Sequence, residues 1–348
     1  EGVHYLPETG SRTGNYYQTG KEWERDAYVE FFTTDGILRM SQSAGLRIHG
    51  GLSRKYPIKS YRLYAKEKYG ESMFNYQFFE TKDIDQFKRL ILRNGGQTYQ
   101  YTIFGEAFVQ SLLEPLSLDI QYSTPIILFI NGEYFGIRNI RDRFDVYYLQ
   151  THYGLDPKDV SILTGHAYPE DGSTLGQAHY QLMYSYATTL NMQKDTNYQK
   201  VQRMIDIENY IDYMAVELYA GNVDWPQNNI FYWRKNTAYN PDAPYGHDGR
   251  WRWLVNDLDA SFGASWGTTT PDANTFERLT GDRWQTGKLF THMIENQTFR
   301  SQFIYRLIEL MDTIFESQKV IDALDETVAL YEPEIAELLR KHINPKDN

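Results

Sequence analysis

The sequence lacks cysteine altogether in its 348 residues. Disulfide bonds, thiolate catalysis and Cys-ligated zinc or iron–sulfur sites are therefore excluded. No apolar run approaches the roughly 18–20 residues that a membrane-spanning helix needs, so we expect no transmembrane segment. Positive charge is also scarce, because 35 Lys and Arg stand against 46 Asp and Glu, a formal net charge of −11. Without a basic cluster we expect no nucleic-acid partner, which leaves small molecules, sugars or proteins.

What the sequence does contain is typical of a globular protein. Hydrophobic residues make up 41% of the chain, charged residues 23% and aromatic residues 16%. These values exclude a disordered, collagen-like or coiled-coil chain. The length suits one large domain or two small ones, and neither an internal repeat nor a compositional linker marks a boundary.

The first 140 residues have the patterns of β-strands. The turn signals Asp35-Gly36 and Asn131-Gly132 each separate two β-like runs, which predicts two hairpins. The helical spacing of residues 102–113 interrupts this region. The predicted strands are residues 27–33, 37–41, 45–49, 60–65, 87–93, 125–130 and 134–140.

Helical patterns dominate the rest of the chain. We predict helices over residues 141–152 and 205–220, the second with Asp206 as N-cap and Gly221 as its stop, and two or three helices over residues 288–343. Residues 165–176, rich in Gly, Ser and Pro, are predicted as a loop, and residues 230–234 and 250–255 as strands.

One acidic pattern points to chemistry. Asp224 lies in a polar loop, Asn229 follows five residues later at the start of a strand, and Asp257 and Asp259 follow the next strand. A carboxylate that accepts a hydroxyl proton, an amide five residues on and a later metal-binding carboxylate are the parts that phosphoryl transfer uses in protein kinases. The pattern therefore predicts a divalent metal. The alternative is structural: Asp224 forms an Asx-turn or cap, and Asp257 and Asp259 close a strand.

A second pattern is a glycine pair followed by basic residues. Backbone N–H groups at Gly50 and Gly51 can approach phosphate oxygens, and Lys59 begins the next strand, where it can reach the α- and β-phosphates. Asp142, placed early in the predicted helix, is positioned to pair with Lys59. The alternatives are a solvated hairpin for the glycine loop and a solvated helix start for Asp142.

Taken in order, these stretches resemble the CotH family of spore-coat and secreted proteins over roughly residues 22–340. The order of the blocks is more specific than any one of them. The blocks that carry the resemblance are residues 45–51, 53–54, 57–63, 90–96, 129–136, 142–145, 224–229, 257–259 and 262–263.

The resemblance implies an α+β fold of the atypical protein-kinase type, with a strand-rich N-terminal part and a helix-rich C-terminal part. It implies an irregular lead-in over residues 1–25 and a single domain over residues 26–348, N-lobe-like to about residue 140 and C-lobe-like from about residue 141. The implied activity is transfer of the γ-phosphoryl group of ATP to Ser or Thr hydroxyls of secreted or surface proteins.

The resemblance also implies roles for particular residues. Asp224 is the catalytic residue, Asp257 the main metal ligand, Asn229 the amide ligand and Asp259 an accessory acid, with Mg²⁺ or Mn²⁺ as the metal. ATP binding falls to Gly50, Gly51, Ser53, Arg54, Lys59 and Asp142. The family pattern has Glu where this chain has Asp142, so the side chain that orients Lys59 is shorter by one methylene.

Localisation and alternatives follow from the same features. The resemblance implies a secreted or cell-surface protein. Because no signal segment opens the sequence at Glu1, we expect the chain to be cut from a longer precursor. One alternative is a non-catalytic surface or adhesive module on a kinase-like scaffold. Another is a secreted glycosidase in which Asp257 or Asp259 pairs with a further carboxylate and Trp225, Trp253 and Trp266 stack on sugar rings.

Overall fold

The computed structural model describes residues 14–263, 274–281 and 283–343. The chain divides into two compact units. The first unit contains the residues up to Ala107, Tyr122–Arg143 and the residues from Asp325 onward; the second contains Phe108–Gln121 and Phe144–Leu324. Trp266 and the first half of the predicted lead-in lie outside the described residues.

The first unit is built on a six-stranded antiparallel sheet. Its strands lie side by side in the order β1, β2, β3, β6, β8, β7. The strands β4 and β5 form a separate two-stranded sheet. The strands are β1 (Arg25–Phe32), β2 (Leu38–His49), β3 (Ser60–Tyr64), β4 (Phe74–Asn75), β5 (Gln86–Phe87), β6 (Arg89–Arg93), β7 (Ser123–Ile130) and β8 (Glu133–Asp142).

Both predicted hairpins are confirmed. β1 pairs with β2, and β7 with β8. In the second hairpin the turn residues Asn131 and Gly132 have φ angles of 52° and 79°, the left-handed conformation that a two-residue turn between twisted strands requires. Asn and Gly adopt this conformation at low cost, which explains why the sequence signal is reliable here.

Apolar side chains from distant parts of the sequence form the core of the first unit. Tyr331 and Leu338, from the C-terminal half of α9 (Ser317–Leu338), pack with residues of the sheet and its loops. Buried Asn139 of β8 donates a hydrogen bond of 2.9 Å to the carbonyl oxygen of Ile103 and accepts one from the Tyr331 hydroxyl. The core members are Ile58, Tyr99, Ile103, Ile137, Tyr331 and Leu338.

The second unit combines helices with a four-stranded sheet in the order β10, β9, β11, β12. Its strands are β9 (Val160–Thr164), β10 (Tyr168–Gly172), β11 (Phe231–Lys235) and β12 (Arg252–Leu254). The described helices of the chain, besides α9, are α1 (Gly105–Leu112), α2 (Val146–Tyr153), α3 (Gly176–Thr189), α4 (Asp195–Gln202), α5 (Ile207–Ala220), α6 (Thr275–Thr280), α7 (Gln285–Met293) and α8 (Gln297–Asp312).

A buried carboxylate organises the centre of the second unit. Asp119 has no solvent exposure and accepts hydrogen bonds from the Tyr148 hydroxyl (3.1 Å), the Tyr153 hydroxyl (2.5 Å) and the Trp233 indole (2.6 Å). Burial raises the pKa of Asp119, and these three donors oppose that rise. The aromatic residues that the composition supplied therefore serve both as core and as hydrogen-bond donors.

Two element predictions were wrong. Residues 141–152 do not form one helix, because β8 continues to Asp142 through its pairing with β6, and α2 begins only at Val146. Asp145 sets that start, since its side chain accepts from the N–H groups of Tyr147 (2.8 Å) and Tyr148 (3.2 Å). Residues 165–176 are not all loop, because β10 lies within them and pairs with β9.

The helix predicted over residues 205–220 is confirmed as α5. Gly221 ends it with a φ angle of 63°, as expected of a C′ glycine. Asp206 occupies the N-cap position without a capping side-chain bond, because its carboxylate pairs with Arg252 at 2.7 Å.

The chain thus has an α+β fold with a strand-rich N-terminal part and a largely helical C-terminal part. In the part of the chain that the structure describes, no helix is both long enough and apolar enough to cross a membrane.

Candidate functional site

The loop after α5 brings the first two predicted site residues into contact. The Asp224 carboxylate accepts hydrogen bonds from the side-chain amides of Asn228 (2.8 Å) and Asn229 (3.0 Å). Next to it, the fully buried Trp225 anchors the loop by donating from its indole to the Tyr213 hydroxyl at 2.9 Å. Because Asn229 uses its amide nitrogen toward Asp224, its side-chain oxygen stays a potential metal ligand.

The loop after β12 carries the other two predicted residues. Asp257 is half-buried, whereas Asp259 is only 3% exposed. Asp257 and Asn229 both have left-handed backbones, with φ angles of 58° and 59°. Residues other than glycine adopt this conformation rarely, Asn and Asp most readily, and it occurs often at functional sites.

Backbone hydrogen bonds tie these two loops together. The N–H of Val223 donates to the carbonyl of Ala260 at 3.1 Å, and the N–H of Phe262 donates to the carbonyl of Ala220 at 2.7 Å. The end of α5 and the loop after β12 are therefore fixed against each other. Asp224 and Asp257 are carried by neighbouring, mutually bonded segments although they lie 33 positions apart in the sequence.

Asn222 is a central residue that we did not predict. It has no solvent exposure, and its side-chain oxygen accepts from the Asp224 N–H at 3.1 Å. Its side-chain nitrogen donates to Glu217 at 3.0 Å and contacts the carbonyl oxygen of Asp257 at 3.5 Å. Its backbone carbonyl accepts from the guanidinium of Arg278. The sequence signal was an Asn two residues before Asp224, which is typical of an Asx-turn.

Glu217 is a second residue that sequence reasoning missed. Its side chain is fully buried on α5, and among the described residues its Oε1 has no hydrogen-bond partner. Burial raises the pKa of Glu217 to about 8; the Asn222 bond and Arg278 oppose this, and the charge of Asp257 adds to it. The sequence did not indicate that Glu217 is buried beside the site, because acidic residues are common in helices.

The residues of this site suit a metal that completes its coordination with phosphate. No group of three or more His, Asp or Glu side chains among residues 14–263, 274–281 and 283–343 is arranged to hold a metal ion by itself. Mg²⁺ is usually bound through one or two carboxylates together with substrate phosphates rather than by an all-protein cage. The carboxylate of Asp257 and the amide oxygen of Asn229 are hard oxygen donors of the required kind.

The glycine loop lies in the first unit and is closed by Arg54. Gly50 has a φ angle of 107°, and a side chain there would meet the Ser53 hydroxyl. Arg54 is 7% exposed and donates to the carbonyl oxygens of Gly50, Tyr16 (3.2 Å) and Gln18 (3.0 Å). Gly51 is exposed at the turn.

Lys59 does not form the expected pair with Asp142. Its ammonium donates to the carbonyl oxygens of Arg54 (2.6 Å) and Tyr56 (2.5 Å), and no carboxylate of the described residues lies within ion-pair distance. Asp142 is 3% exposed and accepts from the Arg143 N–H at 2.8 Å. The prediction failed because Asp142 ends a strand instead of starting a helix. Burial lowers the pKa of Lys59 to about 8.

The tryptophans do not support the glycosidase alternative. Trp225 has no solvent exposure and Trp253 has 1%, so neither ring is available to stack on a sugar. Trp266 lies outside the described residues. Trp253 instead packs against Tyr210, with 4.5 Å between the ring centroids.

Comparison with known families gives a match that covers most of the chain. The family model described as CotH kinase protein matches residues 46–343, a range that takes in every site residue predicted from the sequence. No curated protein matches the chain. Because the match covers most of the sequence in both units, the chain belongs to the CotH family of kinase proteins.

Proposed function

We propose that this protein transfers the γ-phosphoryl group of ATP to Ser or Thr hydroxyls of secreted or surface proteins. The observation that carries the proposal is the contact between Asp224 and Asn229 on a loop bonded to the Asp257 loop, in a chain of the CotH kinase family. Family membership suggests a kinase-like function. The acceptor class rests on the spore-coat and secreted character of that family.

In the proposed reaction Asp224 accepts the proton of the acceptor hydroxyl. The bond between the γ-phosphorus and the oxygen that bridges to the β-phosphate breaks, and a bond to the acceptor oxygen forms. Asp224 is half-buried, so a substrate hydroxyl can reach it. The two amides that it holds fix its orientation, which lowers the entropy lost in reaching the reactive geometry.

Asp257 and Asn229 are the proposed ligands of Mg²⁺ or Mn²⁺, with Asp259 as an accessory acid. A metal at this position supplies positive charge that offsets the charge of the phosphates. Asp257 and Asn229 are half-buried and so open to a nucleotide-bound ion, whereas Asp259 is buried.

In the first unit, Gly50, Gly51, Ser53, Arg54 and Lys59 are the proposed contacts to the nucleotide phosphates. Gly51 is exposed, and Arg54 and Lys59 carry positive charge at the same loop. Asp142 is left out of this set, because the pair with Lys59 on which its role depended is not formed.

The test is transfer of labelled γ-phosphate, with Mg²⁺ or Mn²⁺, to the protein itself and to a Ser/Thr-rich acceptor. Wild type is compared with Asp257→Asn and with Asp242→Asn, which removes an exposed carboxylate of the same unit. We expect label in wild type and Asp242→Asn and none in Asp257→Asn. No label in any of the three, and no stabilisation by ATP against heat, would favour the non-catalytic binding module.

A further inference from the structure

One face of the six-stranded sheet is rich in arginine. The strand register places Arg47 directly opposite Arg62, Arg62 opposite Ile91, and Ile91 opposite Arg141. Because side chains alternate between faces, residues two positions away share this face. Like charges directly opposite each other on paired strands are destabilising. The basic residues of the face are Arg47, His49, Arg62, Arg89, Arg93 and Arg141.

Two buried glutamates neutralise part of this face. Glu24, whose side chain is 3% exposed, pairs with Arg47 at 2.5 Å. Glu106, whose side chain is 1% exposed, pairs with Arg93 at 3.1 Å and with Arg141 at 2.8 Å. Buried acids therefore pair with Arg47, Arg93 and Arg141 of this face.

Arg62, at the centre of β3, has no such partner. Its Nε donates to the Nδ1 of His49 at 2.7 Å, and across the described part of the chain it makes no ion pair with a carboxylate. Burial, and after it the charge of Arg143, lowers the pKa of Arg62 to about 10, although the Tyr64 hydroxyl opposes the shift. A half-buried guanidinium without a counter-charge destabilises the folded protein. An anion bound beside Arg62 would supply the missing charge.

His49, which is bonded to Arg62, supplies a further donor for an anion. Its Nδ1 accepts from Arg62, so the imidazole is neutral and its proton lies on Nε2, where it is a donor. The pKa of His49 lies well below its usual value, first because of burial and then because of the positive charges of Arg62, Arg93, Arg143 and Arg54. Of these surrounding cations, Arg54 bonds to carbonyl oxygens, which do not cancel its charge.

We propose that Arg62 and His49, with Arg54 beside them, form a binding site for the pyrophosphate portion of a nucleoside di- or triphosphate. The identification of the occupant as a nucleotide rests on the proposed function; the need for a multiply charged anion does not. A phosphate oxygen matches the planar fork of Arg62 and the Nε2–H of His49. Arg62 in β3, rather than Lys59 just before that strand, then makes the main contact to phosphate.

The test is binding of inorganic pyrophosphate and of Mg·ATP, measured by calorimetry, to wild type, Arg62→Gln and Arg47→Gln. Arg47→Gln is the matched control, because it removes a charge from the same face at the position opposite Arg62. We expect Arg62→Gln to weaken pyrophosphate binding at least tenfold and Arg47→Gln less than threefold. Lys66→Gln, which also removes a partner of Glu24, replaces Arg47→Gln if that variant does not fold.

Thermal unfolding of the free proteins gives an independent readout. Arg62→Gln relieves an uncompensated charge and is expected to keep or raise the melting temperature, whereas Arg47→Gln deprives buried Glu24 of a partner and lowers it. Pyrophosphate should stabilise wild type and Arg47→Gln against heat but not Arg62→Gln.

The outcomes separate this site from the proposed reaction. Pyrophosphate binding that depends on Arg62, in a protein that transfers no phosphate, would keep the anion site and reject the kinase activity. Phosphoryl transfer by wild type with unchanged pyrophosphate and ATP affinity in Arg62→Gln would reject the anion site alone. Wild type that binds neither pyrophosphate nor Mg·ATP would reject it as well.

Discussion

Asn222 donates a hydrogen bond of 3.0 Å to Glu217, and neither side chain has any solvent exposure. The bond joins the last turns of α5 to the loop that carries Asp224. From the same side chain, the oxygen of Asn222 holds the Asp224 N–H. A buried polar pair of this kind fixes geometry, because an alternative position of either residue would leave polar atoms unsatisfied.

We expect Asn222→Ala to lower kcat at least tenfold while changing the KM for ATP little, because Asp224 loses its backbone anchor. The free energy of unfolding should fall by about 1–3 kcal/mol, the cost of leaving a buried polar group unpaired. The control is Asn296→Ala, which removes another fully buried Asn that caps α8 and donates to the Met192 carbonyl. Equal losses of kcat in both variants would reduce the role of Asn222 to stability.

The Glu217 side of the pair can be tested by two substitutions of similar size. Gln at position 217 keeps an oxygen that accepts from Asn222, whereas Leu removes it. Initial rates of phosphoryl transfer should therefore be at least tenfold higher for Glu217→Gln than for Glu217→Leu, measured at a temperature where both are folded. Similar rates for the two variants would mean that the hydrogen bond does not position the loop.

Asp224→Ala should reduce turnover on the order of 10²-fold or more, since general-base contributions are of that size. Nucleotide affinity should stay within a few-fold of wild type, because the proposed metal ligands Asp257 and Asn229 remain. Single-turnover kinetics and equilibrium binding of Mg·ATP separate the two effects. A collapse of affinity as large as that in Asp257→Asn would instead assign Asp224 to the metal site.

Lys59 should titrate near neutral pH. Burial lowers its pKa from 10.5 to about 8, so the ammonium loses its proton as the pH rises through 8. An unfolded chain keeps that proton up to about pH 10.5. Burial of the charged ammonium therefore destabilises the folded state below pH 8, and the free energy of unfolding rises as the pH increases from 8 to 10.5. Phosphate near Lys59 favours the charged form and should raise the pKa.

The measurement is an NMR pH titration of the protein after its lysines are ¹³C-dimethylated, with Lys59→Arg to assign the signal. A midpoint near 8 that moves upward with ATP is the expected result. A midpoint that does not move with saturating ATP would remove Lys59 from the phosphate site.

Local rules were enough to predict the hairpins and α5. The sequence Asn131-Gly132 predicts a turn because Asn and Gly adopt the required left-handed backbone at low cost. Gly221 ends α5 for the same reason. The Asp224 to Asn229 spacing likewise pointed to two side chains that do contact each other, because both lie on one short loop. The order of the motifs predicted the CotH family, to which the chain belongs.

Tertiary packing decided what neighbouring residues could not signal. Asp142 lies on a strand because β6 pairs with it, a partner about 50 positions away in sequence, and so the predicted pair with Lys59 does not form. Glu217 and Asn222 become important only because folding buries both and brings the Asp257 loop beside them. Arg62 differs from Arg47, Arg93 and Arg141, which share its face of the sheet, because no buried acid of the described residues pairs with it, and that difference appears only once the strands are paired.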